Sequence, residues 1–128
     1  MATAGSQGSM HARGTFQATA SEAIAVNLLV EDHTTAGQVS LCPASGCPAG
    51  VAYDAVDSAA AGAFQLIAPG DIVRAIASDT ISAGDYVKPA ASGQVAPEAT
   101  ATTKTEFTIG VALSASTVGV AFYFRVTV

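Results

Sequence analysis

From Gly14 onward the chain is a succession of short apolar runs, broken at intervals of roughly eight to twelve residues by Gly, Pro, Asn, Asp or Ser. No stretch carries a convincing helical period. The clearest strand closes the sequence, where Val118, Val120, Phe122, Phe124, Val126 and Val128 alternate with Gly119, Ala121, Tyr123, Arg125 and Thr127. One face of it is expected in the core and the other in water or at an interface. In a second alternating run, Ile72, Arg74 and Ile76 face one way and Val73, Ala75 and Ala77 the other, which predicts a central strand with mostly apolar faces. Further strands are expected around 15–19, 28–31, 38–41, 50–53, 63–67, 86–89, 94–97 and 107–113. The alanine-dense stretch 57–61 predicts a short helical turn. Residues 1–13, small, polar and without period, predict a flexible N-terminal arm ahead of a single β domain at 14–128.

An internal repeat organises these strands. Ala20, Ser21, Ile24 and Val30 match Ala77, Ser78, Ile81 and Val87 at an offset of 57, and Gly37-Gln38-Val39 matches Gly93-Gln94-Val95 after a one-residue slip. Gly50-Val51-Ala52 then answers Gly110-Val111-Ala112, and Gly62 with Phe64 and Leu66 is aligned with Gly119, Phe122 and Phe124. Alanine matches are cheap in a chain with 28 alanines, so the two ordered triplets carry the weight. The expected fold is all-β: two four-strand units, about 16–67 and 73–128, burying their apolar faces against each other in one small pseudo-symmetric barrel or sandwich. Neither half is expected to fold alone.

Composition narrows the function. At 128 residues one core suffices. Ten acidic against five basic residues give a net charge of −5, and Arg13, Arg74, Lys88, Lys104 and Arg125 fall singly along the chain, which argues against a nucleic-acid partner. No apolar run is long enough for a membrane span, and the N-terminus lacks the pattern of a signal peptide, so a soluble, unprocessed protein is expected.

The candidate chemistry is thin. Glu31, Asp32 and His33 can be drawn as an acid–base pair, but three polar residues before Thr34-Thr35-Ala36-Gly37 read better as a solvated turn. Neither G-x-S-x-G nor a phosphate-binding glycine loop occurs, so the chain is expected to be no enzyme and to need no cofactor. Cys42 and Cys47 enclose Pro-Ala-Ser-Gly and could bridge across the loop tip or remain two free thiols; zinc would need further ligands that His11 and His33 are not spaced to give. Gly84-Asp85 in Ile81-Ser-Ala-Gly-Asp-Tyr-Val87 predicts a turn with Ile81 and Val87 in the core. Tyr123 and Arg125, on the outer face of the last strand, belong to the residue types enriched at binding hot spots. With Arg13 and Phe16 they form the candidate interface set.

The order of Ile81 to Val87, the short Ala91 to Val95 turn, Ile109 to Ala115 and a final Gly119 to Val128 strand resembles the decoration, or cement, proteins of tailed-bacteriophage heads. The likeness covers 14–128 in outline, is sharpest after Gly70, and leaves the Cys42 to Cys47 loop unassigned. It implies a homotrimeric virion protein on the capsid exterior, with the major capsid protein as partner, that clamps shell subunits and stabilises the mature head without chemistry. The alternative is a carbohydrate- or cell-surface-binding β module of a phage fibre or adhesin, disfavoured by the absence of Trp and the single Asn27.

Overall fold

The structure, a computed structural model, describes residues 14–127. The expected arm, Arg13 within it and Val128 lie outside the described residues. All ten expected strands are present: β1 (Thr15–Ala20), β2 (Leu29–Asp32), β3 (Gln38–Leu41), β4 (Gly50–Ala52) and β5 (Ala61–Leu66) in the first copy, then β6 (Ile72–Ile76), β7 (Tyr86–Pro89), β8 (Val95–Pro97), β9 (Gly110–Ala112) and β10 (Ala121–Val126) in the second. Each copy therefore has five strands, one more than expected. They do not merge into one barrel.

The first five close on themselves in the order β1-β3-β2-β4-β5, and the second five form a sheet in the order β6-β10-β9-β7-β8. The second sheet is drawn round in the same way, because Ala77 bridges Val95 in parallel just as Ala20 pairs with Val39 in the first barrel. The strand β6 is thus an end strand, not a central one, paired along its length with β10 and touching the β8 side at that bridge. Each five-strand unit curls around its own inward face, the first as a closed barrel and the second as a sheet drawn into a barrel by that one bridge, and the two share a wall.

The register fixes which residues are equivalent. Val30 pairs with Leu41 and Gly50, and Val87 pairs with Pro97 and Gly110. In the last hairpin Ala52 faces Phe64 and Ala112 faces Phe124. Phe64 therefore corresponds to Phe124, an offset of 60, and Gly119 answers Ala59, not Gly62. Both Ala59 (φ 66°) and Gly119 (φ 80°) take the left-handed conformation, and each donates its N–H to the end of the first strand of its copy, at Ala20 O and Ala77 O, both 2.8 Å. The Asp57–Ala60 stretch is this turn, closed by Ala60 N–H to Asp57 O, so the expected helical turn is absent. The 3-10 turn Ala91–Gly93 is the helical element among the described residues.

The first core gathers Ala20, Ile24, Val30, Val39, Ala52, Val56 and Phe64. The second gathers Val73, Ala75, Ile81, Val87, Val95, Ile109, Phe122, Phe124 and Val126, and it also takes in Leu29 and Val51 from the outer side of β2 and β4 and Cys42 just past β3. Those three residues are where the barrels meet. A unit of 50 to 60 residues buries only about 60% of its unfolded surface alone, so the shared wall adds burial that each copy lacks. In the last strand Phe122, Phe124 and Val126 point inward as expected, but Val118 (66% exposed) and Val120 (50% exposed) precede the strand and sit in the turn.

Two glycines are required by packing. A Cβ on Gly50 would lie 2.5 Å from Gln65 O and 2.7 Å from the Phe16 ring, and one on Gly110 would collide with Arg125 O and come within 2.6 Å of Phe124. They occupy the same position in β4 and β9, which is why the Gly-Val-Ala triplet recurs.

Candidate interaction surface

The outward residues of β6 and β10 stand in register: Tyr123 faces Arg74, and Arg125 faces Ile72. Val111 of β9 lies on the other side of Arg125. Leu113, just past β9, donates its N–H to Tyr123 O at 2.8 Å. Ile72, Leu113 and Tyr123 are 51, 39 and 49% exposed, so this wall sets apolar side chains beside two guanidinium groups. The Arg74 guanidinium lies 5.8 Å from the centre of the Tyr123 ring, a cation–π contact that holds both side chains in place. Neither arginine is in an ion pair among the described residues, where Lys88 with Glu98 is the pair formed.

Pseudo-symmetry supplies a comparison inside the molecule. The positions in the first barrel equivalent to Ile72, Arg74, Tyr123 and Arg125 are Thr15, Gln17, Ala63 and Gln65. The same wall there has no charge, though Tyr53, 47% exposed, stands where Leu113 does in the second barrel. The ten acidic residues split evenly about Gly70, five on each side, but no Lys or Arg lies between Gly14 and Gly70, whereas Arg74, Lys88, Lys104 and Arg125 all follow it. The four cations among the described residues are all in the second copy.

Of the four expected contact residues, the structure brings Tyr123 and Arg125 together on this wall. Phe16 turns inward instead: its ring lies 5.5 Å from that of Phe64 and packs on the first core, because β1 needs a large apolar residue over Gly50. Arg74, Ile72 and Leu113 were missed. The alternation that put Arg74 opposite Val73 was visible, but its partner strand was not.

Two further polar groups are tied into the fold. His33 Nδ1 accepts the Thr35 N–H at 3.0 Å, which makes Glu31–Asp32–His33 the end of a hairpin. Glu98, 4% exposed, was not singled out from sequence; it accepts hydrogen bonds from Thr105 Oγ1 (2.8 Å) and Thr108 Oγ1 (2.5 Å) and so ties down the long β8–β9 loop. Among the described residues no group of three or more His, Cys, Asp or Glu is placed to hold a metal ion, and no helix is long and apolar enough to cross a membrane.

Cys42 and Cys47 are free thiols, the first buried and the second exposed. Cys47, with Pro48, Glu106 and Phe107, lines a cavity of about 240 Å³ between the β3–β4 and β8–β9 loops. Burial, aided by Glu31 and Cys47, pushes the Cys42 thiol from the ordinary 9.0 up to about 12. One thiol per chain is therefore expected to react with an alkylating reagent at neutral pH, and two after unfolding in denaturant, as counted by mass spectrometry. The raised value also sets a sign. The folded chain holds this proton more tightly than the unfolded one, so its contribution is intact below pH 9 and is withdrawn as the pH rises from 9 towards 12. Urea midpoints measured at pH 8 and pH 10.5 are expected to fall further in the parent than in Cys42→Ala.

No protein-family model matches the sequence, and no curated protein matches it. Among solved structures the chain is similar to one described as the head fiber gp8.5 N base in bacteriophage phi29, with a TM-score of 0.74 and 18% sequence identity over 88% of this chain and 92% of that one.

Proposed function

We propose that this chain is a non-enzymatic structural protein of a bacteriophage virion, attached to the outside of the head through the Arg74–Tyr123–Arg125 wall. The observation that carries the reading is the correspondence of nearly the whole two-barrel fold with a phage head fiber base. It agrees with the independent likeness of the Ile81–Val87, Ile109–Ala115 and Gly119–Val128 motifs to head decoration proteins. The partner on this reading is the major capsid protein, and the chain acts as a homotrimer that clamps neighbouring shell subunits. Stabilisation would follow from mass action, because anything that binds the mature shell and not its disrupted state shifts that equilibrium, and several linked contacts multiply the effect.

A second reading, a glycan-binding module of a fibre, is favoured by one feature. A cavity of about 280 Å³ is lined by Tyr53, Gln65 and Asp71, an aromatic ring beside hydrogen-bonding side chains. The two readings separate by experiment. Purified protein is expected to co-sediment with heads of the encoding phage that lack it and to raise their disruption temperature. Absence of co-sedimentation together with specific retention on a glycan array would replace the first reading by the second.

A further inference from the structure

The two barrels meet by a contact that is head to tail. Leu29 (0% exposed) and Val51 (2%), on the outer side of β2 and β4, and Cys42 (0%), just past β3, are covered by the second barrel. The second barrel reaches them with its 3-10 corner: Gly93 donates its N–H to Cys42 O at 2.8 Å. A Cβ at Gly93 would lie 2.7 Å from Leu29 O, so the approach needs glycine. The corner is therefore on one copy and the receiving face on the other.

Each half of this contact has a counterpart. Cys42 N–H bonds Leu29 O and Glu98 N–H bonds Tyr86 O. Leu29 pairs with Val51, and Tyr86 with Val111. Tyr86, Glu98 and Val111 are thus the second barrel's version of the receiving face. The corner is repeated too, because Gly37 (φ 79°) matches Gly93 (φ 77°); it is exposed, and nothing lies within 4 Å of where its Cβ would be. A heterologous contact whose two halves are both open propagates into filaments, and repeat arrays avoid this with capped ends.

On the second barrel, Tyr86 and Glu98 of this face are engaged by their own chain. Residues 98–109 form a loop of twelve residues where the first copy has eight, 42–49. Ala101 O accepts the Tyr86 N–H at 2.8 Å, Lys104 Nζ lies 6.0 Å over the Tyr86 ring, and Glu98 holds the Thr105 and Thr108 hydroxyls. Lys88 Nζ, 3.9 Å from Glu98, adds an ion pair at the base of the loop. We propose that this loop is a stop: it covers the Tyr86–Glu98–Val111 face and keeps the Gly37 corner of a second copy of this chain from docking there as the Gly93 corner docks within the chain. The occupant is a second copy because the only corner shown to fit such a face is the one the repeat duplicates.

The test replaces residues 98–109 of the full chain with the first copy's 42–49 segment, its two cysteines changed to serine. Sedimentation velocity across a range of concentrations is expected to show a weight-average mass at least double that of the parent and rising with concentration. Adding Gly37→Asn, which keeps a residue tolerant of the left-handed region but places a Cβ at the corner, is expected to return the mass to the parent's value. A folded graft with the parent's mass at every concentration overturns the proposal, and so does association indifferent to Gly37→Asn. Should the graft not fold, Glu98→Ala in the intact chain gives the same decision. Faster amide exchange over 101–108 with concentration-dependent mass supports the stop, and faster exchange with unchanged mass overturns it.

Discussion

Truncation of Phe124 to alanine is expected to lower stability by about 3–5 kcal/mol and the melting temperature by roughly 10–20 °C, the largest effect of any single side chain here. Phe124 is fully buried and packs in the cluster that also includes Leu29, Cys42 and Val51 of the first barrel. A cavity at this point loosens the second core and the wall between the barrels together. Phe64→Ala removes the equivalent ring from a core that contains first-copy residues alone, so its effect is expected to be smaller than that of Phe124→Ala, though still several kcal/mol. Calorimetry of the two variants measures the difference. Equal losses would mean that the shared wall contributes nothing beyond the barrels themselves.

The second large effect concerns binding. Reversing both guanidinium positions, Arg74→Glu with Arg125→Glu, is expected to weaken attachment to heads by about 10–100-fold, and Tyr123→Ala by roughly 30-fold, the scale of a hot-spot residue. Folding should be nearly untouched, because all three side chains are exposed and surface substitutions usually change stability by no more than ~0.5 kcal/mol. The molecule provides its own control. Gln17→Glu with Gln65→Glu puts the same charges on the equivalent wall of the first barrel and is expected to leave attachment unchanged. Equal weakening by both pairs would point to a general charge effect and not to this wall.

The strands were legible because period-2 alternation and glycine punctuation are local properties of the chain. The Gly-Gln-Val and Gly-Val-Ala triplets announced the repeat for a physical reason: Gly37 and Gly93 hold left-handed corners, and Gly50 and Gly110 pass too close to neighbouring backbone for a side chain. What local pattern could not supply was closure. Whether five strands curl into their own barrel or pair across copies depends on contacts such as Ala20 with Val39 and Ala77 with Val95, which join residues about 19 apart through parallel pairing. The Phe64 alignment slipped because a glycine was matched to a glycine: the left-handed turn position held by Gly119 is held by Ala59 in the first copy, and the offset of 60 set by Gly50 and Gly110 in fact carries on to Phe64 and Phe124.

The candidate site was half legible. Tyr123 and Arg125 alternate with buried phenylalanines and so had to face outward. Arg74 joins them only through the β6–β10 pairing, and the neutral counterpart wall becomes visible only once the register defines equivalent positions. Phe16 packs partly buried against the first core, and a large apolar residue at the start of a first strand suits an interface and a core equally well from pattern alone. Glu98 gave no signal in the sequence that sets it apart from a solvated acid; its role follows from two threonine hydroxyls brought to it by the loop.

The most direct measurement is a cryo-EM reconstruction of heads of the encoding phage incubated with the purified chain. The account expects added density on the outer surface that accepts the two-barrel structure with the Arg74–Tyr123–Arg125 wall against the shell and the neutral Gln17–Gln65 wall away from it. Heads without added density at saturating protein, or density that seats the Gln17–Gln65 wall on the shell, would contradict it.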